Sequence, residues 1–213
     1  MSQVKVGSRK AGSLDGLGFL NHPEMRRCTA PRLRQLELGG FLTEYSGAGG
    51  VNAPERTMAM ANLMHFVVGC HGLCGLDLSR TCLGPGTLRG MLYGTRPDGT
   101  QSSNLASSLT RLHLSGFTGL PASSFTLVLA TCTRLEQIDF SASLVADGTF
   151  QDAAEHRPEH LAALRVVRLT ECSSITSDGV EALCRAAGAS LRHLALGGPF
   201  TTLGDEAGPS PIA

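Results

Sequence analysis

The sequence predicts an α/β solenoid, with a curved parallel sheet on its concave side and helices on its convex side. The first observation behind this is a phrase, Leu-x-x-Leu-x-Leu, that returns six times. It stands as Leu33-Leu36-Leu38, Leu73-Leu76-Leu78, Leu109-Leu112-Leu114, Leu135-Ile138-Phe140, Leu164-Val167-Leu169 and Leu191-Leu194-Leu196. Its 3-then-2 spacing puts two apolar residues on one face of a short strand and a third in the turn before it. The second observation is the interval between first leucines, which settles at 26, 29 and 27 residues from Leu109 onward. That length suits a strand, a turn, an outer helix and a return loop. The third is that helical patterns fall between the strands. One strand backed by one helix cannot close a core, so neighbouring units must bury the repeated side chains against each other. Each fully buried one contributes roughly 1.5–3 kcal/mol.

Taken in order, residues 1–30 form a basic N-terminal segment or cap. Leu14, Leu17, Phe19, Leu20 and Met25 could cover the edge of the first strand there. Residues 31–200 form the repeat domain of about six units, and residues 201–213 form a tail. The two longest intervals, 40 and 36 residues, take insertions. Gly47, Gly49, Gly50 and Pro54 mark one loop, and Gly94, Pro97 and Gly99 mark another. Helices are predicted over 57–68, with Met60, Leu63, Met64 and Val67 inward, and over 123–130 and 149–155. Pro158 should stop the last of these before His160. A further helix is capped by Ser177 and Asp178, turns Val180, Leu183 and Cys184 inward, and ends at Gly188.

Composition narrows the function classes. Aromatics make up 5% and Trp is absent, which argues against stacked-base or carbohydrate recognition. The net charge is zero, so no global field points to nucleic acid or a membrane surface. Residues 1–34 nevertheless carry seven basic side chains against Asp15 and Glu24, a leading segment able to dock on an acidic surface. No run of 18 apolar residues exists, so no membrane span is expected. Seven cysteines is an odd number, and Cys70, Cys132 and Cys172 keep step with the repeat. That placement suggests free, buried thiols in a reducing, intracellular compartment. A cytoplasmic or cytoskeletal and axonemal location is expected, with a mitochondrial one as the alternative because Lys5, Arg9 and Lys10 precede the first acid.

One unit is more specific than the rest. The run Leu164-Arg165-Val166-Val167-Arg168-Leu169-Thr170-Glu171-Cys172-Ser173-Ser174-Ile175-Thr176-Ser177-Asp178-Gly179-Val180 resembles the cysteine-containing leucine-rich repeat. That family reads L-x-x-L-x-L-x-x-C-x-x-I-T-D-x-G-L and is best known from F-box substrate receptors. Ser177 stands where the family usually has Asp, and both residue types can cap a helix. Part of the pattern also stands at Cys70 with Leu73-Leu76-Leu78 and at Cys132 with Leu135-Ile138-Phe140. The resemblance implies a leucine-rich repeat solenoid that acts as a non-catalytic protein-protein interaction scaffold. Residues 1–30 are too short for an F-box, so the better match is a structural subunit of a large multiprotein assembly. A substrate-recognition adaptor of a ubiquitin ligase is the alternative.

In such a sheet the residues flanking the middle leucine point to the concave surface. One column reads Gln35, Gly75, Arg111, Gln137, Val166, His193, and the next reads Glu37, Asp77, His113, Asp139, Arg168, Ala195. A third, of small residues, reads Gly39, Ser79, Ser115, Ser141, Thr170, Gly197. The expected partner-binding residues are Gln35, Glu37, Asp77, Ser79, Arg111, His113, Gln137, Asp139, Arg168 and His193. The partner is expected to be protein, with no nucleic acid.

Catalytic signatures are thin. His156-Arg157-Pro158-Glu159-His160 spells H-x-x-E-H, the basis of a second alternative, a metal-dependent hydrolase. That chemistry needs both rings on one helical face, and Pro158 lies between them. Cys70, His71 and Cys74 have no second ligand pair at zinc-finger spacing. No G-x-S-x-G occurs, and the glycines at 47–50 lack the Lys-Ser/Thr of a phosphate loop. No enzyme activity, metal or cofactor is expected.

Overall fold

Each leucine triplet becomes a strand and the turn that follows it, and the strands lie side by side in chain order. The computed structural model describes residues 2–5, 30–40, 53–81, 83–94, 105–117 and 119–198, with backbone alone over 2–5 and 53–59. The strands are β1 Ser2–Lys5, β2 Leu33–Glu37, β3 Gly75–Asp77, β4 Arg111–His113, β5 Gln137–Asp139, β6 Val166–Arg168 and β7 His193–Ala195. The helices are α1 Ala53–Val68, α2 Pro85–Tyr93, α3 Ala122–Thr131, α4 Asp147–His156, α5 Pro158–Leu161 and α6 Ser177–Ala187, with a 3-10 turn at Leu105–Ser107. All seven strands pair in parallel in the order β1 to β7. This is the solenoid that the repeat spacing predicts. Strands sit about 4.8 Å apart whereas packed helices need about 8–10 Å, so stacking such units bends the array with its sheet inside.

The middle leucines Leu36, Leu76, Leu112, Ile138, Val167 and Leu194 stand in one register across the sheet. The first five triplets are fully buried and form one continuous core with the helices. Phe125 of α3 meets Phe140 edge-on at 5.0 Å between ring centroids. The sixth triplet differs: Leu191 and Leu194 are half-buried and Leu196 is 38% exposed, because no further unit packs on it among the described residues.

A left-handed residue recurs at one place in every turn, two positions after the last residue of each triplet. Gly40, Arg80, Gly116, Ala142, Glu171 and Gly198 all have positive φ there. After three of those positions, Arg80, Ala142 and Glu171, the next residue carries a side-chain donor. Thr81 Oγ1 donates to the Leu78 carbonyl at 2.7 Å, Ser143 Oγ donates to the Phe140 carbonyl, and Cys172 Sγ reaches that same carbonyl at 3.2 Å. All three side chains are buried, so a small donor here satisfies a strand-end carbonyl that water cannot reach. The cysteine of the 164–180 unit is one member of this set. Cys70, Cys132 and Cys172 are buried free thiols, as the repeat placement suggests. Burial pushes the Cys132 thiol up to about 12 and raises Cys70 and Cys172 as well, which keeps these sulfurs protonated and unreactive.

Several expectations need correction. Pro54 lies in the first turn of α1 rather than in a loop, and its neighbours 41–52 fall outside the described residues. Proline is at home there because a first-turn N–H has no helical partner to lose. A helix not foreseen, α2, opens on Pro85 and closes on Gly94, which is left-handed with φ 67°. The loop proposed beyond Gly94 lies outside the described residues, as does the proposed cover over 14–29. β1 adds a strand that no leucine triplet announces. α4 does end at His156, but Pro158 then starts α5, so His160 sits in a helical turn of its own. In α6 the cap is Thr176, whose hydroxyl accepts from the Asp178 amide at 3.3 Å, and Gly188 closes the helix. Cys184 is exposed, not inward, and Ala182, Leu183 and Ala187 make the buried face instead.

Candidate functional site: the concave face of the sheet

Three-residue strands leave one residue on each side of every middle leucine, and the parallel register aligns these flanking residues into columns. Gln35, Gly75, Arg111, Gln137, Val166 and His193 are lateral neighbours in turn. So are Glu37, Asp77, His113, Asp139, Arg168 and Ala195. The third column follows, since Gly40, Arg80, Gly116 and Ala142 donate amides to the carbonyls of Ser79, Ser115, Ser141 and Thr170. All ten residues expected to bind a partner therefore stand on one face, in the order read from the repeats.

The fold itself uses several of them. The Asp77 carboxylate accepts the Ser79 amide at 2.8 Å, and the Asp139 carboxylate accepts the Ser141 amide at 3.1 Å. Each aspartate thereby closes the turn that follows its own strand. Ser79 Oγ accepts the Ser115 amide at 3.3 Å, and Ser141 Oγ accepts the Thr170 amide at 3.2 Å. The small-residue column is thus partly an extension of the sheet ladder by hydroxyls. Arg111 reaches across Gly75 to Gln35, whose amide oxygen, oriented by this network, accepts from both guanidinium Nη atoms at 3.1 and 3.0 Å. Gly75 permits that bridge, because a Cβ there would stand 3.3 Å from Arg111 Nη2 and 3.2 Å from Gln35 Cγ.

Other groups have chemistry that the fold leaves unused. His113 Nε2 is enclosed yet has no hydrogen-bond partner among the described residues. The His113 residue borders a cavity of about 260 Å³ over β2 to β5, whose lining also includes Gln35, Glu37, Asp77, Arg111 and Gln137. The side chains of Gln137, Arg168 and His193 likewise have no hydrogen-bond or ion-pair partner among the described residues. An enclosed polar nitrogen left unpaired costs stability.

The H-x-x-E-H histidines diverge. His156 is exposed, with Nδ1 3.0 Å from the Asp152 carbonyl within α4. His160 is buried, with Nδ1 2.8 Å from the Leu129 carbonyl at the far end of α3. A carbonyl can only accept, so both Nδ1 atoms carry protons as donors. Cys74 Sγ donates to the Arg34 carbonyl at 3.2 Å, and Cys70 Sγ donates to the Phe66 carbonyl at 3.2 Å, so the Cys-His-Cys run points its thiols into backbone carbonyls. No group of three His, Cys, Asp or Glu side chains among the described residues is placed to hold a metal ion.

One residue that ties neighbouring units together is missed by the sequence pattern. Asp147, at the start of α4, accepts the Thr176 amide at 2.7 Å and the Thr176 hydroxyl at 2.6 Å. It ties the N-terminus of α6 to the preceding unit. No local motif signals it, because the two residues lie 29 positions apart.

No family model matches the sequence, and no curated protein matches it. Among solved structures the chain is similar to a tropomodulin C-terminal domain from Caenorhabditis elegans. The identity is 8%, with 89% of this chain and 85% of that chain covered and a TM-score of 0.41. No residue of that neighbour is carried over to this chain. Among the described residues no helix is long and apolar enough to cross a membrane.

Proposed function

We propose that this chain is a non-catalytic protein-interaction scaffold of the cysteine-containing leucine-rich repeat type, built into a larger multiprotein assembly and gripping its partner with the concave face. The observation that carries this reading is the alignment of polar columns along one face of the sheet, with His113 near their centre. Gln137, Arg168 and His193 extend the same unused chemistry toward β7. The non-catalytic part is supported by how the acids beside His113 are employed. Asp77 and Asp139 each close a backbone turn, and the Gln35–Arg111 bridge occupies the next column. None of the four is poised to activate a nucleophile.

The test is affinity purification from native cells with the wild-type chain beside a His113→Ala/Arg168→Glu double variant. One set of partners in fixed stoichiometry, recovered with the wild type and lost by a variant that melts normally, is the expected result. Recovery of the same partners by the variant contradicts the reading, and cullin-type partners would favour the ubiquitin-ligase adaptor instead.

A further inference from the structure

A second polar cavity lies away from the concave face, on the rim where the chain enters β5, β6 and β7. The position after each first leucine is fixed there by the ladder. The Glu136 carbonyl accepts the Arg165 and Val166 amides at 2.8 and 3.0 Å, and the Arg165 carbonyl accepts the Arg192 and His193 amides at 2.8 and 3.0 Å. Glu136, Arg165 and Arg192 therefore follow one another along a single row at strand spacing. With Arg134 they border a cavity of about 440 Å³ whose lining also includes small residues, among them Ala163 and Ser190.

The charges on this rim do not cancel. Arg165 Nε lies 3.6 Å from Glu136 Oε2, which accounts for one arginine and the only acid in the lining. The guanidinium groups of Arg134 and Arg192 are exposed and have no partner among the described residues. At the other end of the same row, Arg34 spends its guanidinium on the Gly72 carbonyl at 3.1 Å, and Cys74 and Thr110 follow it. The cationic cavity is thus confined to the last three units. Ser190 Oγ donates to both the Leu164 and Ala187 carbonyls, at 2.8 and 3.0 Å, and so holds the turn that carries Arg192.

We infer that this rim is a second docking site, which takes the carboxylates of an acidic segment of a protein partner. Guanidinium groups bind such oxyanions through paired N–H donors, and two unneutralised arginines beside small residues leave room for a side chain to descend between them. The site is separate from the concave face, so its fate does not depend on His113.

The full chain is titrated with a fluorescein-labelled hexaglutamate peptide and, in a second arm, with a neutral peptide bearing one phosphoserine. Fluorescence anisotropy reports binding, and inorganic phosphate serves as competitor. The expected result is saturable binding of the hexaglutamate peptide, weakened at least about tenfold by Arg134→Glu/Arg192→Glu. Arg89→Glu, on the exposed side of α2, should leave it unchanged. Binding should also fall with added salt, as the screening length shrinks from about 10 Å at 0.1 M toward about 3 Å at 1 M. Saturation by the phosphoserine peptide alone would mean a phosphoryl group in place of carboxylates and would overturn the proposal. If the charge reversal impairs folding in a melting curve, Arg134→Gln/Arg192→Gln takes its place. Failure of the hexaglutamate peptide to saturate, or an equal loss with Arg89→Glu, overturns the proposal.

Discussion

At the scale of single residues, the repeat spends its conformational strain at one recurring place. Six turns need a left-handed residue; glycine supplies it at Gly40, Gly116 and Gly198, whereas Arg80, Ala142 and Glu171 hold the same backbone with a Cβ. An L-residue in that region costs roughly 1–2 kcal/mol, part of which glycine returns through its freer unfolded chain. Ala142→Gly should therefore stabilise the protein by about 0.5–1 kcal/mol in urea unfolding. A loss of stability on that substitution would mean that the turn is not left-handed at 142. The same scale explains why the site is only partly readable from its residues. The lateral order of Gln35, Glu37, Asp77, Arg111, His113 and Asp139 follows from the triplet, since parallel register leaves no other alignment. What each side chain does is not so readable. An aspartate that binds a partner and one that closes its own turn look alike in the sequence.

At the scale of elements, the strands were legible and the helix starts less so. Apolar triplets announce β2 to β7, but Ser2–Lys5 carries no such pattern and joins the sheet by pairing with β2 alone. Pro54, Pro85, Pro121 and Pro158 each stand at or near the opening of a convex helix, a use of proline that the reading of Pro54 and Pro158 as breakers overlooked. α2 was invisible to apolar periodicity because Pro85, Gly86 and Gly90 dilute its face. Cys184 was misplaced because it adjoins Leu183 in sequence, yet one residue turns the helix by about 100°. The coupling between elements lies beyond local pattern altogether. Gly179 lets α6 approach Asp147, since a Cβ there would sit 2.9 Å from Asp147 Cα. Asp147→Ala should cost about 1–3 kcal/mol by stranding the Thr176 amide. Gly179→Ala should cost at least as much, because its clash is with backbone that cannot swing aside. Denaturant midpoints of the two variants check both, and a midpoint unchanged in Asp147→Ala would remove the inter-unit cap.

At the scale of the whole molecule, a continuous interior runs from Leu33 to Ala187 and fades at the last triplet, where Leu191, Leu194 and Leu196 keep part of their surface. The molecule is graded in charge as well as in burial. Acids mark the concave column at Glu37, Asp77 and Asp139, whereas Arg165, Arg168 and Arg192 gather at the far end. The concave face is mixed in charge, with Arg111 and Arg168 beside the acids, and the rim of β5 to β7 is cationic at Arg134 and Arg192. That arrangement depends on each strand presenting one residue inward and its neighbours outward. Leu112 is completely buried beneath β4, and His113 beside it borders the concave cavity. The most direct measurement is urea unfolding of Leu112→Ala and His113→Ala against the wild type. Leu112→Ala should lose roughly 2–5 kcal/mol through the cavity it leaves, while His113→Ala should stay within about 0.5 kcal/mol of the wild type. Equal losses in the two variants would contradict the assignment of faces on which both docking surfaces rest.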